Sequence, residues 1–83
     1  MKDRIFDFII KIIQEELNIN LTKPINKENT LMELGIDSIS FMALIVYIEN
    51  QFTIELLDIE EFSNDYENLS LARFIDLVDK KIT

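Results

Sequence analysis

The sequence predicts an all-α fold: three longer helices, one short third helix and a long first loop. Two observations carry this. Apolar residues recur at three- and four-residue steps in three separate segments. One Gly and one Pro are too few for a turn-rich β fold. Length sets the scale: 83 residues form a single domain, 1–83, burying about 60–65% of the surface its unfolded chain exposes. A core of that size cannot wall off a large enclosed active site. With 48% hydrophobic and 29% charged residues, the composition is globular rather than disordered.

The first helix is predicted over 3–17. Phe6, Ile9, Ile10, Ile13 and Leu17 form its stripe, opposed by Asp7, Lys11, Gln14 and Glu15. Ile5, Phe8 and Ile12 widen the apolar face, so this helix should touch more than one neighbour. Asp3 belongs at the N-cap or in the first turn. Residues 18–37 are predicted as a loop, because Pro24 and the Asn/Thr/Lys content stop a continuous helix. Loops this long are uncommon in compact domains unless functional. This one carries anchors at Ile19, Leu21, Ile25, Leu31 and Leu34, with a short turn near Leu31–Leu34.

The second helix is predicted over 38–52. Asp37 stands where an N-cap belongs, just after Gly35. Leu44, Ile48 and Phe52 fit one inward face, with Ile45 beside it. Phe41, Met42, Ala43, Val46 and Tyr47 leave almost no polar side before Glu49. A small domain cannot bury such a helix all round, so part of it should meet a partner. Residues 53–56 read as an extended link. A short helix is expected over about 58–63, with Ser63-Asn64-Asp65 breaking it. Ser70 then caps a last helix over 70–81, with Leu71, Phe74, Ile75 and Val78 on its stripe and Lys80 and Lys81 complementing its dipole.

Charge narrows the function. Sixteen acids against eight bases give a net charge of −8. That field repels nucleic-acid phosphates and anionic membrane surfaces and favours a partner with a basic patch. Ten acids, from Glu28 to Glu67, follow one another without a Lys or Arg between them. Their crowding should raise carboxyl pKa values. No apolar run reaches the length of a membrane span, and no signal-peptide layout opens the chain, so a cytoplasmic monomer is expected. There is no Cys and no His, which removes thiolate metal sites and the commonest general base. The Asp58–Glu61 cluster lacks the alternating ligands of a calcium loop, so no metal site is expected. A serine nucleophile would need a base, and Lys23 and Lys27 belong to no motif that places them; no catalytic residue is expected.

One segment is informative: Leu31-Met32-Glu33-Leu34-Gly35-Ile36-Asp37-Ser38-Ile39. Taken alone, Asp37-Ser38 at a helix start is an ordinary cap. The run as a whole, ending a long loop and opening an apolar helix, closely resembles the carrier proteins of fatty acid, polyketide and nonribosomal peptide synthesis. The resemblance extends over the whole chain, through Phe52-x-Ile54-Glu55-Leu56, the short helix and the closing helix. It implies a four-helix carrier bundle and a 4′-phosphopantetheine arm, taken from coenzyme A, on Ser38. It also implies that Asp37 faces the modifying enzyme. Physical reasoning agrees with it. A serine at a helix N-terminus is exposed and rigidly held, and a phosphodiester there lies at the positive end of the dipole. Gly35 allows a tight turn before the helix. Leu34 and Ile39 flank the serine with apolar surface, although Leu34 also reads as a core plug.

The expected activity is carriage, not catalysis. Acyl or aminoacyl intermediates would ride as thioesters on the arm of a stand-alone carrier. The expected partners are a phosphopantetheinyl transferase, an acyl- or aminoacyl-loading (adenylating) enzyme, and condensing or tailoring enzymes. Docking is expected on Met42, Ala43, Val46, Glu49 and Ile59. The helix after the serine is more apolar than in fatty-acid carriers, which favours a nonribosomal peptide, polyketide or other specialised pathway. Two alternatives stand: the housekeeping acyl carrier protein of fatty acid synthesis, and a helical adaptor that never carries an arm.

Overall fold

The structure is a computed structural model and describes residues 2–19 and 25–82. The expected anchor at Leu21, and Pro24, lie outside the described residues. Among the described residues there are four α-helices and no strand.

Helix α1 spans Lys2–Glu15 and buries Ile5, Ile9, Ile12 and Ile13. These positions, i, i+4, i+7 and i+8, form one stripe. The inward face is therefore centred near Ile9 and takes in Ile5 and Ile12, which only widen the stripe in the sequence pattern. Phe6 and Ile10 are half-buried at its edge. The helix ends two residues before the predicted limit at 17. There the ladder widens: Leu17 N–H donates to the Ile12 carbonyl and Ile19 N–H to the Ile13 carbonyl, both at 3.0 Å. Asn18, at φ 54°, turns left-handed between them, a conformation its short polar side chain tolerates. The helix packs against both of its long neighbours, α2 (Ser38–Phe52) and α4 (Leu71–Ile82).

The described part of the first loop, 25–37, is held by its own hydrogen bonds. Thr30 N–H donates to Glu33 Oε1 (2.8 Å) and Glu33 N–H to Thr30 Oγ1 (3.2 Å), a reciprocal capping box around the single turn 31–35. Leu31 beneath it is fully buried. The same loop caps α4. Leu71 N–H donates to the Asn29 carbonyl (2.8 Å), Ala72 N–H to the Lys27 carbonyl (2.9 Å), and Leu31 N–H to the Leu69 carbonyl (2.9 Å). Helix-start donors that lack intrahelical partners are thereby satisfied. Ser70 sits outside α4 as its cap, its Oγ accepting Arg73 N–H at 3.1 Å, and the helix runs one residue past the predicted end.

The short helix, α3, covers Glu60–Asn64 rather than 58–63. Residues 57 and 58 form a turn closed by Ile59 N–H donating to the Leu56 carbonyl (3.0 Å). Ser63 and Asn64 belong to the helix, and the break falls at Asp65. A single 3₁₀ turn, Tyr66–Asn68, follows it and has no counterpart in the sequence reading.

The core is aliphatic at the α1 side and aromatic at the α3 side. Phe41 of α2 meets Phe62 of α3 edge-on at 5.7 Å, Phe74 of α4 at 5.9 Å, and stacks on Tyr66 at 4.7 Å. The charge segregation of the sequence is partly undone in space. Arg73 bonds Glu61 at 3.0 Å and Lys81 bonds Asp58 at 2.6 Å, tying the acidic middle to α4.

Candidate functional site

The 31–35 turn delivers the chain to α2. Gly35 closes it at φ +89°, its N–H donating to the Met32 carbonyl at 2.9 Å. A side chain at Gly35 would meet Ile19 only at ordinary contact distance, so the requirement for glycine is conformational rather than steric. Ile36 then plugs the core, almost fully buried, and Asp37 and Ser38 emerge to solvent.

Asp37 adopts an extended backbone and its Oδ1 accepts Ser40 N–H at 2.7 Å, the N-cap arrangement. That bond, with the Ser40 side chain second, holds the Asp37 carboxyl below the ordinary range. Glu33 is lowered mainly by Thr30 N–H, and Asp58 by Lys81. Where the acidic stretch shows a shift, hydrogen bonds and ion pairs set it downward. The upward shift expected from crowding is not what these three groups do.

Ser38 is the first residue of α2 and is exposed. Ile39, beside it, is 81% exposed, and Met42 and Val46 are about half exposed, at 48% and 51%. Positions 39, 42 and 46 share one helix face. The structure thus brings Asp37, Ser38, Ile39, Met42 and Val46 onto one surface. Ala43 is half-buried at its edge. Leu34 is half-buried and packed on the core, closer to a plug than a flank. Ile59 likewise packs against the core from the N-cap of α3. Glu49 is half-buried, and its Oε2 accepts Leu56 N–H at 2.8 Å, so it also closes the link after α2.

Several surface groups of this region escape the sequence reading. Met32 and Leu57 are exposed at 50% and 59%. The signal for Leu57 is the Leu56-Leu57 doublet: Leu56 is fully buried, and Leu57, in the turn that follows, faces out. Ser38, Phe41, Met42, Leu57, Phe62, Ser63 and Tyr66 line an open cleft of about 320 Å³ between α2 and α3. Among the described residues no cluster of three or more acids is arranged to hold a metal ion, and no helix is long and apolar enough to cross a membrane.

Comparison with known proteins agrees with this geometry. Residues 7–78 match the family described as phosphopantetheine attachment site. The acyl carrier protein of Buchnera aphidicola subsp. Schizaphis graminum is 36% identical over 74 residues, covering 88% of this chain and 87% of that protein. The acyl carrier protein of Guillardia theta is 29% identical over 83 residues, covering 98% and 95%. That of Wolinella succinogenes is 34% identical over 56 residues, covering 68% and 74%. No solved structure matches at the same level of significance. A capped, exposed serine at the head of an apolar helix and a family match across most of the chain lead to one conclusion: the chain belongs to the phosphopantetheine attachment-site family, as a carrier protein of the acyl carrier type.

Proposed function

We propose that this domain carries acyl groups as thioesters on a 4′-phosphopantetheine arm borne by Ser38 Oγ. The observation that carries the reading is the placement of Ser38: exposed, first in α2, and beside the Asp37 cap. The relatives are named acyl carrier proteins. That favours the fatty-acid type of carrier, the alternative in the sequence reading, over a specialised peptide or polyketide pathway. When attached, the arm supplies the terminal thiol that a chain without Cys lacks.

The residues divide the work. Ser38 Oγ forms a bond to the phosphorus of coenzyme A as the pyrophosphate linkage breaks, releasing adenosine 3′,5′-bisphosphate. No His is available in the chain to take the serine proton, so the transferase takes it. Asp37 fixes the first turn, and the positive end of α2 favours the phosphodiester. Ile39, Met42 and Val46 offer partner enzymes an apolar stripe, with Ala43 at its margin. The surrounding acids steer partners with basic surfaces. Glu49 and Ile59 contribute mainly by shaping this surface from beneath. The partners are a phosphopantetheinyl transferase, an acyl-loading enzyme and condensing enzymes, met in the cytoplasm.

Incubation with a broad-specificity transferase and coenzyme A, read by intact mass, tests the assignment. The wild type gains one phosphopantetheine. Ser38→Ala gains none, and its melting temperature stays within about 3 °C because alanine suits a first helical turn. An arm on Ser40, or none on the wild type, would refute the assignment.

A further inference from the structure

Three of the chain's eight bases meet at one place. Lys2 at the start of α1, Lys27 of the first loop and Arg73 of α4 line an open pocket of about 330 Å³, together with Ala72, Ile75 and Asp76. Three cations face one carboxylate there, a local balance of +2 in a chain of net charge −8. Its floor is apolar, with Ile75 buried and Ala72 half-buried. The pocket shares no lining residue with the Ser38 cleft.

The fold positions these cations without neutralising them. Ala72 N–H donates to the Lys27 carbonyl at 2.9 Å, which fixes the loop against the first turn of α4. Lys27 Nζ lies 4.8 Å over the Phe6 ring and forms no ion pair among the described residues. Arg73 gives one end of its guanidinium to Glu61 at 3.0 Å. Its other end stands 3.8 Å from Asp76, beyond hydrogen-bond length, so that nitrogen can turn to a ligand. Lys2 bonds Asp76 at 2.6 Å, so one carboxylate serves two cations. Asp79 adds its charge near Lys2 but does not line the pocket.

The geometry points to this pocket as a binding site for a small organic phosphate, its phosphate among Lys2, Lys27 and Arg73 and its apolar body over Ala72 and Ile75. The site does not depend on an arm at Ser38. A guanidinium fork matches phosphate oxygens, and the two lysines act beside it as point charges. A phosphate monoester carries close to two negative charges at neutral pH, which matches the local balance; a lone carboxylate would match half of it. The first turn of α4 adds the positive end of its dipole. The volume stands at the small end of ligand pockets, which run from about 300 to 1,000 Å³. The acidity of the rest of the chain also selects for size. Screening over roughly 10 Å at 0.1 M salt leaves a small anion to the cations it touches, whereas a long polyanion would run onto the acids.

The test is an amide NMR titration of the full chain with phenyl phosphate at pH 7.5, with inorganic phosphate and sodium chloride of matched ionic strength as the other arms. Phenyl phosphate should shift the amides of 27 and 72–76 and saturate. Inorganic phosphate should bind the same residues more weakly, because it lacks a body for the apolar floor. Lys27→Gln removes a charge that no described carboxylate uses and should weaken phenyl phosphate at least about fivefold, as should Arg73→Gln. Lys11→Gln makes the same change of charge outside the pocket and should stay within about twofold of the wild type. Shifts that fail to saturate, or that sodium chloride reproduces, would overturn the site. Equal weakening by Lys11→Gln and Lys27→Gln would overturn it too, leaving only the general field. Inorganic phosphate bound as tightly as phenyl phosphate would overturn the organic class of ligand. Ser38→Ala should bind phenyl phosphate as the wild type does, so the pocket and the attachment site stand or fall separately.

Discussion

Helices α2 and α4 are close in length and opposite in surface. Helix α4 buries Leu71, Phe74, Ile75, Leu77 and Val78 and turns Arg73, Asp76 and Lys80 outward or to its margins. Its outer groups find partners: Lys2 reaches Asp76 at 2.6 Å and Arg73 reaches Glu61 at 3.0 Å. Helix α2 buries Phe41, Leu44, Ile45 and Ile48 on one side, yet presents Ile39, Met42 and Val46 on the other. Folding explains every apolar residue of α4 and only about half of those in α2. The remainder is surface that the fold does not need, and it begins one residue after Ser38.

The sharpest way to break this contrast is to place one charge on each side of α2. Leu44→Glu puts a carboxylate where the side chain is fully buried. Truncating such a side chain alone costs about 2–5 kcal/mol, and an unpaired buried charge adds to that. Domains of this kind have only about 5–15 kcal/mol of stability, so Leu44→Glu should unfold at room temperature by circular dichroism. Val46→Glu should keep the melting temperature within about 3 °C and slow loading by a partner enzyme roughly tenfold or more. Equal loss of melting temperature in both would show that Val46 serves the core.

A smaller effect tests how the chain enters α2. Gly35→Ala forces a Cβ into the left-handed region and should lower the melting temperature by about 5–10 °C. Arm addition to the folded fraction should be unaffected. No loss of melting temperature would mean that the 31–35 turn relaxes freely and does not set the position of Ser38.

The smallest effect concerns charge. The Glu33, Asp37, Asp58 and Asp76 carboxyls are all lowered, by Thr30 N–H, Ser40 N–H, Lys81 and Lys2 respectively. A folded pKa below the unfolded value stabilises the domain above the unfolded pKa, near 4, and that contribution is lost as pH falls through the folded value. Melting temperature should therefore hold from pH 7 to about 5 and drop below about 4. Asp37→Ala should lower it by a few degrees at pH 7 and make the acid drop shallower. A melting temperature that rises between pH 6 and 4.5 would show that repulsion among the acids outweighs these bonds.

The contrast between α2 and α4 was legible in sequence because it is a matter of periodicity. The start of α2 was legible too, since Asp37, Ser38 and the apolar run after them are local signals. The features that escaped depend on distant partners. The centre of the α1 stripe is chosen by α2 and α4 together, so Ile5 and Ile12 outrank Phe6 and Ile10. The pairing of Thr30 with Ser70 joins residues forty apart in the chain. The carboxylate of Glu49 looked like docking surface until the link turned Leu56 N–H back onto it. At the site, Ser38, Met42 and Val46 follow from local pattern. The position of Tyr66 in the cleft lining does not, because it depends on a ring, Phe41, brought from another helix.

Helix α3 has five residues, no side-chain cap at Ile59, and one buried residue, Phe62. A helix that short has no stability of its own and persists only while Phe62 stays seated. Opening free energies are lowest where buried contacts are fewest. The thermal breathing of this domain is therefore concentrated in α3, the wall that faces Ser38 across the cleft. Residues 27–31, by contrast, are tied to the start of α4 by three backbone hydrogen bonds, through Lys27, Asn29 and Leu31. One wall of the cleft is thus the part least anchored to the core, while the turn that presents the serine is built on the fully buried Leu31.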